Sequence, residues 1–263
     1  MKKAVYIEIE ENIAIIKFNR PERYNAVNQD VIDCLNDCFD QIEKNEKVRS
    51  VVITGNGKGF CSGADMSVFG ENVTAEQRKD HLIKYYQPLI NRFTSLNKPI
   101  IGAINGAAAG GGLGLALAMD YRISSIKAKL AASFFSLGLS PDGGTTWLLP
   151  RLVGTQKAKK FFFNNEIWNS QLALDNGAID EICDQEELIP RSLEIAGEWG
   201  KWAFLSRRST KQLLDASTST FFETQLEFER ALIISSSLTD DFAEGVSAFM
   251  EKREPNFNHI EEE

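Results

Sequence analysis

A chain of 263 residues with 43% hydrophobic content holds enough apolar material for one large core. Its 29 Lys and Arg against 37 Asp and Glu leave a net charge of −8, which argues against general nucleic-acid or anionic-membrane binding. Cys34, Cys38, Cys61 and Cys183 show neither C-x-x-C nor Cys/His zinc spacing, and no secretory signal precedes them, so free thiols in a reducing cytoplasm are expected.

In chain order, residues 5–9 and 13–18 alternate apolar and polar around Glu11-Asn12 and predict a hairpin. Residues 28–44 carry helical spacing through Val31, Leu35, Phe39 and Ile42, with Asn28 as N-cap. Residues 50–54 read as a short buried strand before a glycine loop, and 75–96 as one longer amphipathic helix. Residues 99–104 and 121–125 read as further strands, so the first half alternates strand and helix, the pattern of an α/β domain.

Between those last two strands, three adjacent glycines, Gly110-Gly111-Gly112, run into an apolar helix. Glycine lets a ligand approach the main chain closely, and a helix start presents N–H groups and a positive dipole end. The pair favours an oxygen that gains negative charge. Residues 99–119 carry no charge and are long enough to suggest a membrane span, yet glycines, Pro99 and Asn105 interrupt them and Asp120 and Arg122 follow at once. A buried strand, a glycine turn and a buried helix fit better. Neither this stretch nor the loop at 55–59 completes a nucleotide-binding glycine pattern.

Beyond residue 150 the chain turns helical, over 155–164, 170–176, 186–201, 208–216, 220–235 and 240–252. The last two helices carry apolar stripes, Phe221, Phe222, Leu226 and Phe228, then Phe242, Val246, Phe249 and Met250. Such stripes belong to a core or a subunit contact more often than to a ligand box.

Four ordered motifs now stand in the chain: Asn19-Arg20-Pro21-Glu22-Arg23-Tyr24-Asn25-Ala26, Gly59-Phe60-Cys61-Ser62-Gly63-Ala64-Asp65-Met66, Asn105-Gly106 leading into Gly110-Gly111-Gly112, and Gly138-Leu139-Ser140-Pro141-Asp142-Gly143-Gly144. Together they resemble the crotonase superfamily of enoyl-CoA hydratases and isomerases, over residues 5–180 approximately, and residues 244–249 resemble the family's last helix. The resemblance implies an α/β fold, a crotonase-like ββα spiral with a C-terminal helical trimerisation region. It divides the chain into a spiral acyl-CoA-binding core over 1–200 and a helical region over 201–263. It further implies a homotrimer or a hexamer built from two trimers, a cytoplasmic location, and an acyl-CoA thioester as substrate, with no separate cofactor, metal, nucleic acid or membrane.

In the family two main-chain N–H groups clasp the thioester oxygen, and the matching positions are Ala64 and Gly111. Removing a proton next to a thioester builds an enolate, and each preorganised donor is typically worth about 2.7 to 4 kcal/mol as that charge forms. The resemblance sets the CoA moiety along Arg23, Ala26, Ser62 and Met66, with Asp65 fixing the loop more than acting in the chemistry. Lys252 is a further phosphate candidate and Phe249 beside it faces either the CoA entrance or a subunit contact. Met66, Phe69, Phe134, Leu139 and Trp147 are the expected pocket walls.

Members of the family differ in which carboxylates enter the pocket. Hydratases carry one glutamate shortly after the triple glycine and another ahead of the proline–glycine turn; the corresponding places here are Gly114 and Phe134. Water addition needs groups to deprotonate water and to protonate the α-carbon, so efficient hydration is not expected. Asp142 remains, among apolar neighbours that would raise its pKa and make it a better base. The competing reading makes it the N-cap of a helix starting near Gly143. The expectation is allylic isomerisation of a 3-enoyl-CoA with Asp142 as sole proton carrier. The turn and residues 147–151 and 244–255 look most like members assigned to epoxide or oxepin isomerisation in phenylacetate breakdown. A hydratase, an aspartate-nucleophile dehalogenase helped by His81, and a non-catalytic acyl-CoA-binding protein stay open as alternatives.

Overall fold

The computed structural model describes residues 3–66 and 73–257. The predicted hairpin forms from β1 (Val5–Glu10) and β2 (Ile13–Phe18), antiparallel in the register Val5↔Phe18 to Glu10↔Ile13. From β2 the sheet continues in parallel through β3 (Ser50–Gly55), β5 (Ile100–Ile104), β7 (Tyr121–Ser125) and β10 (Glu181–Cys183).

Every residue of β3 is buried, because helices cover both faces of this sheet. Alternate residues sort between two cores, as a period of two requires. Ile16, Val51, Ile53, Ile100 and Ile104 meet α1 (Gln29–Lys44) on one side, through Val31, Leu35, Phe39 and Ile42. Ile15, Val52, Ile101 and Ile123 meet α8 (Leu188–Gly200) on the other, through Leu188, Ile195 and Ala196. Asn28 caps α1 as the sequence predicts, its side chain accepting from the Val31 N–H at 3.1 Å.

A second sheet, not foreseen from the sequence, is made of three-residue strands: β4 (Gly59–Cys61), β6 (Ala107–Ala109), β8 (Lys129–Ala131) and β9 (Ile167–Asn169). The first three pair in parallel and β9 runs antiparallel. Three strands of the first sheet, β3, β5 and β7, each hand the chain to a short strand of the second and then to a helix. β3 and β4 precede α2 (Ala75–His81) and α3 (Gln87–Ser95); β5 and β6 precede α4 (Gly111–Leu117); β7 and β8 precede α5 (Thr145–Val153) and α6 (Thr155–Phe163). These turns are the ββα spiral that the resemblance implies.

The helix predicted over 75–96 is not continuous: a π-helical turn, Leu82–Tyr86, separates α2 from α3. After α7 (Ser170–Asn176) and α8, the chain ends in α9 (Phe204–Ser217), α10 (Phe222–Ser236) and α11 (Asp240–Glu251). No helix among the described residues is long and apolar enough to cross a membrane. The uncharged stretch 99–119 is divided among β5, β6 and α4, as a buried strand–turn–helix reading expects.

Candidate active site

Because β4 and β6 are parallel neighbours, the loops leaving them emerge side by side. In the first, Ala64 bridges Val27: the Val27 N–H donates to the Gly63 carbonyl and the Asp65 N–H to the Val27 carbonyl, each at 2.8 Å. That pattern uses the residues on either side of Ala64 and turns the Ala64 N–H away from Val27, with no acceptor for it among the described residues. Gly63 makes the approach possible. Its φ is +91°, and a Cβ there would stand 2.8 Å from the Ala109 carbonyl oxygen and 3.0 Å from the Gly111 nitrogen.

In the second loop, Gly110 turns the chain with φ 51° and Gly111 begins α4, so its N–H belongs to the donors that no helix can satisfy internally. The Ala64 and Gly111 N–H groups thus lie across Gly63 from each other, as an oxyanion site requires. At seven residues α4 is short, so the N–H itself contributes more than the field of a long helix.

Polar side chains hold the first loop and the turn that leads into β4. Arg20 donates to the Asp65 carboxylate at 2.9 Å and to the Ala26 carbonyl at 2.6 Å, which makes Asp65 a fixing group. Buried Asn25, with φ 58°, donates to the Gly59 carbonyl at 2.8 Å and accepts from the Arg20 N–H at 2.9 Å. Asn105 donates to the Gly57 and Gly59 carbonyls, each at 3.1 Å, and accepts from the Gly55 N–H at 3.0 Å. The motifs do not reveal the Arg20–Asp65, Asn25–Gly59 and Asn105–Gly57 contacts, because each spans tens of residues.

Asp142 sits in the turn ahead of α5, and this turn packs on α4. A Cβ on Gly143 would be 3.5 Å from the Gly111 Cα, and one on Gly114 would be 2.2 Å from the Gly143 carbonyl oxygen. The second distance is decisive for the missing glutamate, because the turn already fills the space that any side chain at Gly114 would enter. At the other hydratase position Phe134 is buried.

The capping reading of Asp142 fails. α5 has Gly144 as N-cap with no side-chain bond, and it is the Asp142 main-chain carbonyl that accepts from the Thr145 N–H at 3.1 Å and its hydroxyl at 2.8 Å. The carboxylate has no hydrogen-bond or ion-pair partner among the described residues. The residue is exposed to solvent in the open site, yet the protein packed around it still partly desolvates the carboxyl and raises its pKa above the ordinary carboxylate value.

Around these groups Arg23, Ser62 and Met66 are exposed, and the Ser62 hydroxyl lies 3.4 Å from the Arg23 carbonyl, joining the two CoA-side motifs. Arg23 has no ion-pair partner among the described residues. Ala26 is buried, with its N–H given to the Arg23 carbonyl. Leu139 and Trp147 are exposed beside the turn, with the Arg151 guanidinium 3.6 Å from the Trp147 ring centre. Phe69 lies outside the described residues.

Phe249, on α11, lines a cavity with Ser206, Phe242 and Phe257 instead of the oxyanion loops, and Lys252 ends that helix at φ 56°. Within one chain these two are not gathered with the other candidates. His81 is in ring contact with Tyr85, 5.5 Å between centroids.

Parallel short strands, two N–H groups facing each other across a glycine and an aspartate turn packed on the same helix form the arrangement that the ordered motifs led one to expect, and the family comparison agrees. The model of the enoyl-CoA hydratase/isomerase family matches residues 8–260, and the chain belongs to this family.

Among its relatives, the chain is 33% identical to 1,2-epoxyphenylacetyl-CoA isomerase of Escherichia coli over 259 residues, 98% of this chain and 99% of that protein. It is 32% identical to crotonyl-CoA hydratase of Syntrophomonas wolfei over 254 residues, 96% of this chain and 97% of that one. The crystal structure of an enoyl-CoA hydratase from Bacillus anthracis superposes with a TM-score of 0.91 at 29% identity, covering 97% of this chain and 98% of the other. Isomerases and hydratases both stand among these relatives, so the reaction has to be argued from the site.

Proposed function

We propose that the protein isomerises 3-enoyl-CoA thioesters to 2-enoyl-CoA thioesters with Asp142 as single acid and base. The observation that carries this reading is the unpartnered Asp142 carboxylate against α4, with Gly114 closed to any side chain by the Gly143 carbonyl.

The ionised Asp142 takes a proton from C2, and the C–H electron pair moves into the C1–C2 bond while the thioester carbonyl electrons go to oxygen. The Ala64 and Gly111 N–H groups stabilise that oxygen as charge develops. The dienolate collapses with a C2–C3 double bond, C4 takes the proton back from Asp142, and no water, metal or redox group enters the balance. Arg23, Ser62 and Met66 frame the CoA moiety, the Arg23 guanidinium facing phosphate. Phe134, Leu139 and Trp147 give the acyl chain an apolar wall.

The proposed assembly is a homotrimer or a pair of trimers. α10 has no buried residue although Phe222, Leu226, Phe228, Ile233 and Ile234 lie along it, so its apolar surface needs a covering that one chain does not provide. A second copy would also bring Phe249 and Lys252 toward a neighbouring CoA. A cytoplasmic location is part of the same reading.

Product analysis tests the reaction. Incubated with a 3-enoyl-CoA, the protein is expected to release the 2-enoyl isomer, and with crotonyl-CoA to form 3-hydroxybutyryl-CoA at a far lower rate. Hydration of crotonyl-CoA as fast as isomerisation would reject the assignment.

A further inference from the structure

The π-helical turn between α2 and α3 ends on Tyr86, and it changes the register of this helix just where the helix faces the site. Such turns recur at functional positions. Tyr86 is only 5% exposed, and its hydroxyl is buried without a hydrogen-bond partner among the described residues. A buried O–H without an acceptor carries an uncompensated desolvation cost, so its retention asks for a partner in some other state of the protein.

Its surroundings name that partner. The hydroxyl oxygen stands 2.1 Å from where a Cβ would be on Gly111 and 3.2 Å from where one would be on Gly143, wedged between α4 and the Asp142 turn. The neighbouring residue carries a carboxylate that has no partner either. Burial first, and then the charges of Asp142 and Cys61, push the Tyr86 hydroxyl well above its ordinary value, so it stays protonated and keeps a proton to donate. Cys61, from β4, is itself pushed up to about 12 by burial and stays neutral. No other titratable group is recorded against either side chain among the described residues. Gly138, Gly143 and Gly144 all hold positive φ, so the turn bearing Asp142 is built from residues that tolerate a change of backbone angle.

We propose that Tyr86 is a positioning residue: when an acyl-CoA fills the site, its hydroxyl donates to the Asp142 carboxylate and holds it over the acyl carbons. This rests on Asp142 being the base. Loading the site removes water from Asp142 and favours its protonated, idle form. A neutral donor bonds the ionised carboxylate more strongly than the protonated carboxyl, which opposes that drift while the phenol keeps its own proton.

Tyr86→Phe removes the hydroxyl alone, and with no resting partner lost its thermal midpoint is expected to equal or exceed the wild type's. A midpoint lower by several degrees would mean the hydroxyl is already bonded in the resting chain, and would overturn the proposal. With saturating butyryl-CoA as probe, the Asp142 carboxyl can be titrated by carbon NMR, its signal assigned by Asp142→Asn. Loss of a donor to the ionised form should raise this pKa by about one unit in Tyr86→Phe, a tenfold change in ionisation. The same shift should appear in the acidic limb of the C2 exchange profile. Equal titrations in both proteins, or slower exchange at every pH with an unmoved limb, would reduce Tyr86 to packing. Asp142→Asn that exchanges like wild type would sink the base assignment separately, while the titration still reports on Tyr86.

Discussion

The two loops that supply the oxyanion donors are built by opposite means. The loop after β4 and the turn ahead of that strand are held by polar side chains: Arg20 on Asp65, Asn25 and Asn105 on the carbonyls of the 57–59 turn. The loop after β6 is shaped by the absence of side chains, since Cβ atoms on Gly111, Gly112 and Gly114 would stand 2.1 Å from the Tyr86 hydroxyl, 2.1 Å from the Cys61 carbonyl oxygen and 2.2 Å from the Gly143 carbonyl oxygen. The first loop can thus be weakened a bond at a time. The second fails through steric overlap, and it takes the Asp142 turn with it.

The largest effect is expected at the seam between them. Gly63→Ala demands φ +91° of an alanine and drives its Cβ toward both Ala109 and Gly111. The C2 exchange rate should fall about 10²- to 10³-fold, the loss typical of one oxyanion donor. Exchange within a factor of a few of wild type would show that the donors do not meet across Gly63. Next comes Gly114→Glu, which restores the hydratase glutamate in type but not in space. It should gain no hydration of crotonyl-CoA and lose isomerisation, because the Gly143 carbonyl must shift; a gain in hydration would show the turn to be more yielding than its packing.

Smaller effects belong to the polar loop. Arg20→Ala removes one partner from the buried Asp65, and denaturant titration should show a loss of about 1–3 kcal/mol. Asn105→Ala frees main-chain groups near Gly55 and Gly59 and should cost about as much or less. If either substitution abolished exchange while leaving stability intact, the loop's polar ties would be part of the chemistry and the contrast with the β6 loop would break.

The pH dependence separates the base from both loops. Burial raises the Asp142 pKa, so the carboxyl is still protonated at a pH where an ordinary aspartate has ionised. Exchange should therefore fall as pH drops through this raised value, above the 3.8 of a free carboxyl. Arg20→Ala should lower the plateau without moving that limb. Movement of the limb in Arg20→Ala would mean that the polar loop tunes Asp142.

The same contrast explains what could be read in the chain before folding. Ala64 and Gly111 follow ordered motifs, and the long strands β2, β3 and β5 announce themselves as apolar runs. Asp142 could be placed in its turn, but whether it capped α5 depended on which of its oxygens Thr145 would choose. The three-residue strands of the second sheet are too short to show a period, and α5 is announced only by its start near Gly143, because Pro150 inside it hides how far it runs. Tyr86 was hidden in an amphipathic pattern, since a π turn adds a residue that a 3.6 period does not register. Arg20–Asp65 joins residues 45 apart, a contact that exists only once the loops are stacked.

The account stands on Asp142 moving a proton between C2 and C4 while Ala64 and Gly111 hold the oxygen. Incubation with a 3-enoyl-CoA in D₂O, following deuterium at both carbons in wild type and Asp142→Asn, tests this most directly. Wild type is expected to exchange at C2 and deliver label to C4, and Asp142→Asn to be slower by about 10²- to 10⁴-fold at both positions with the fold intact. Equal exchange by the two proteins would contradict it.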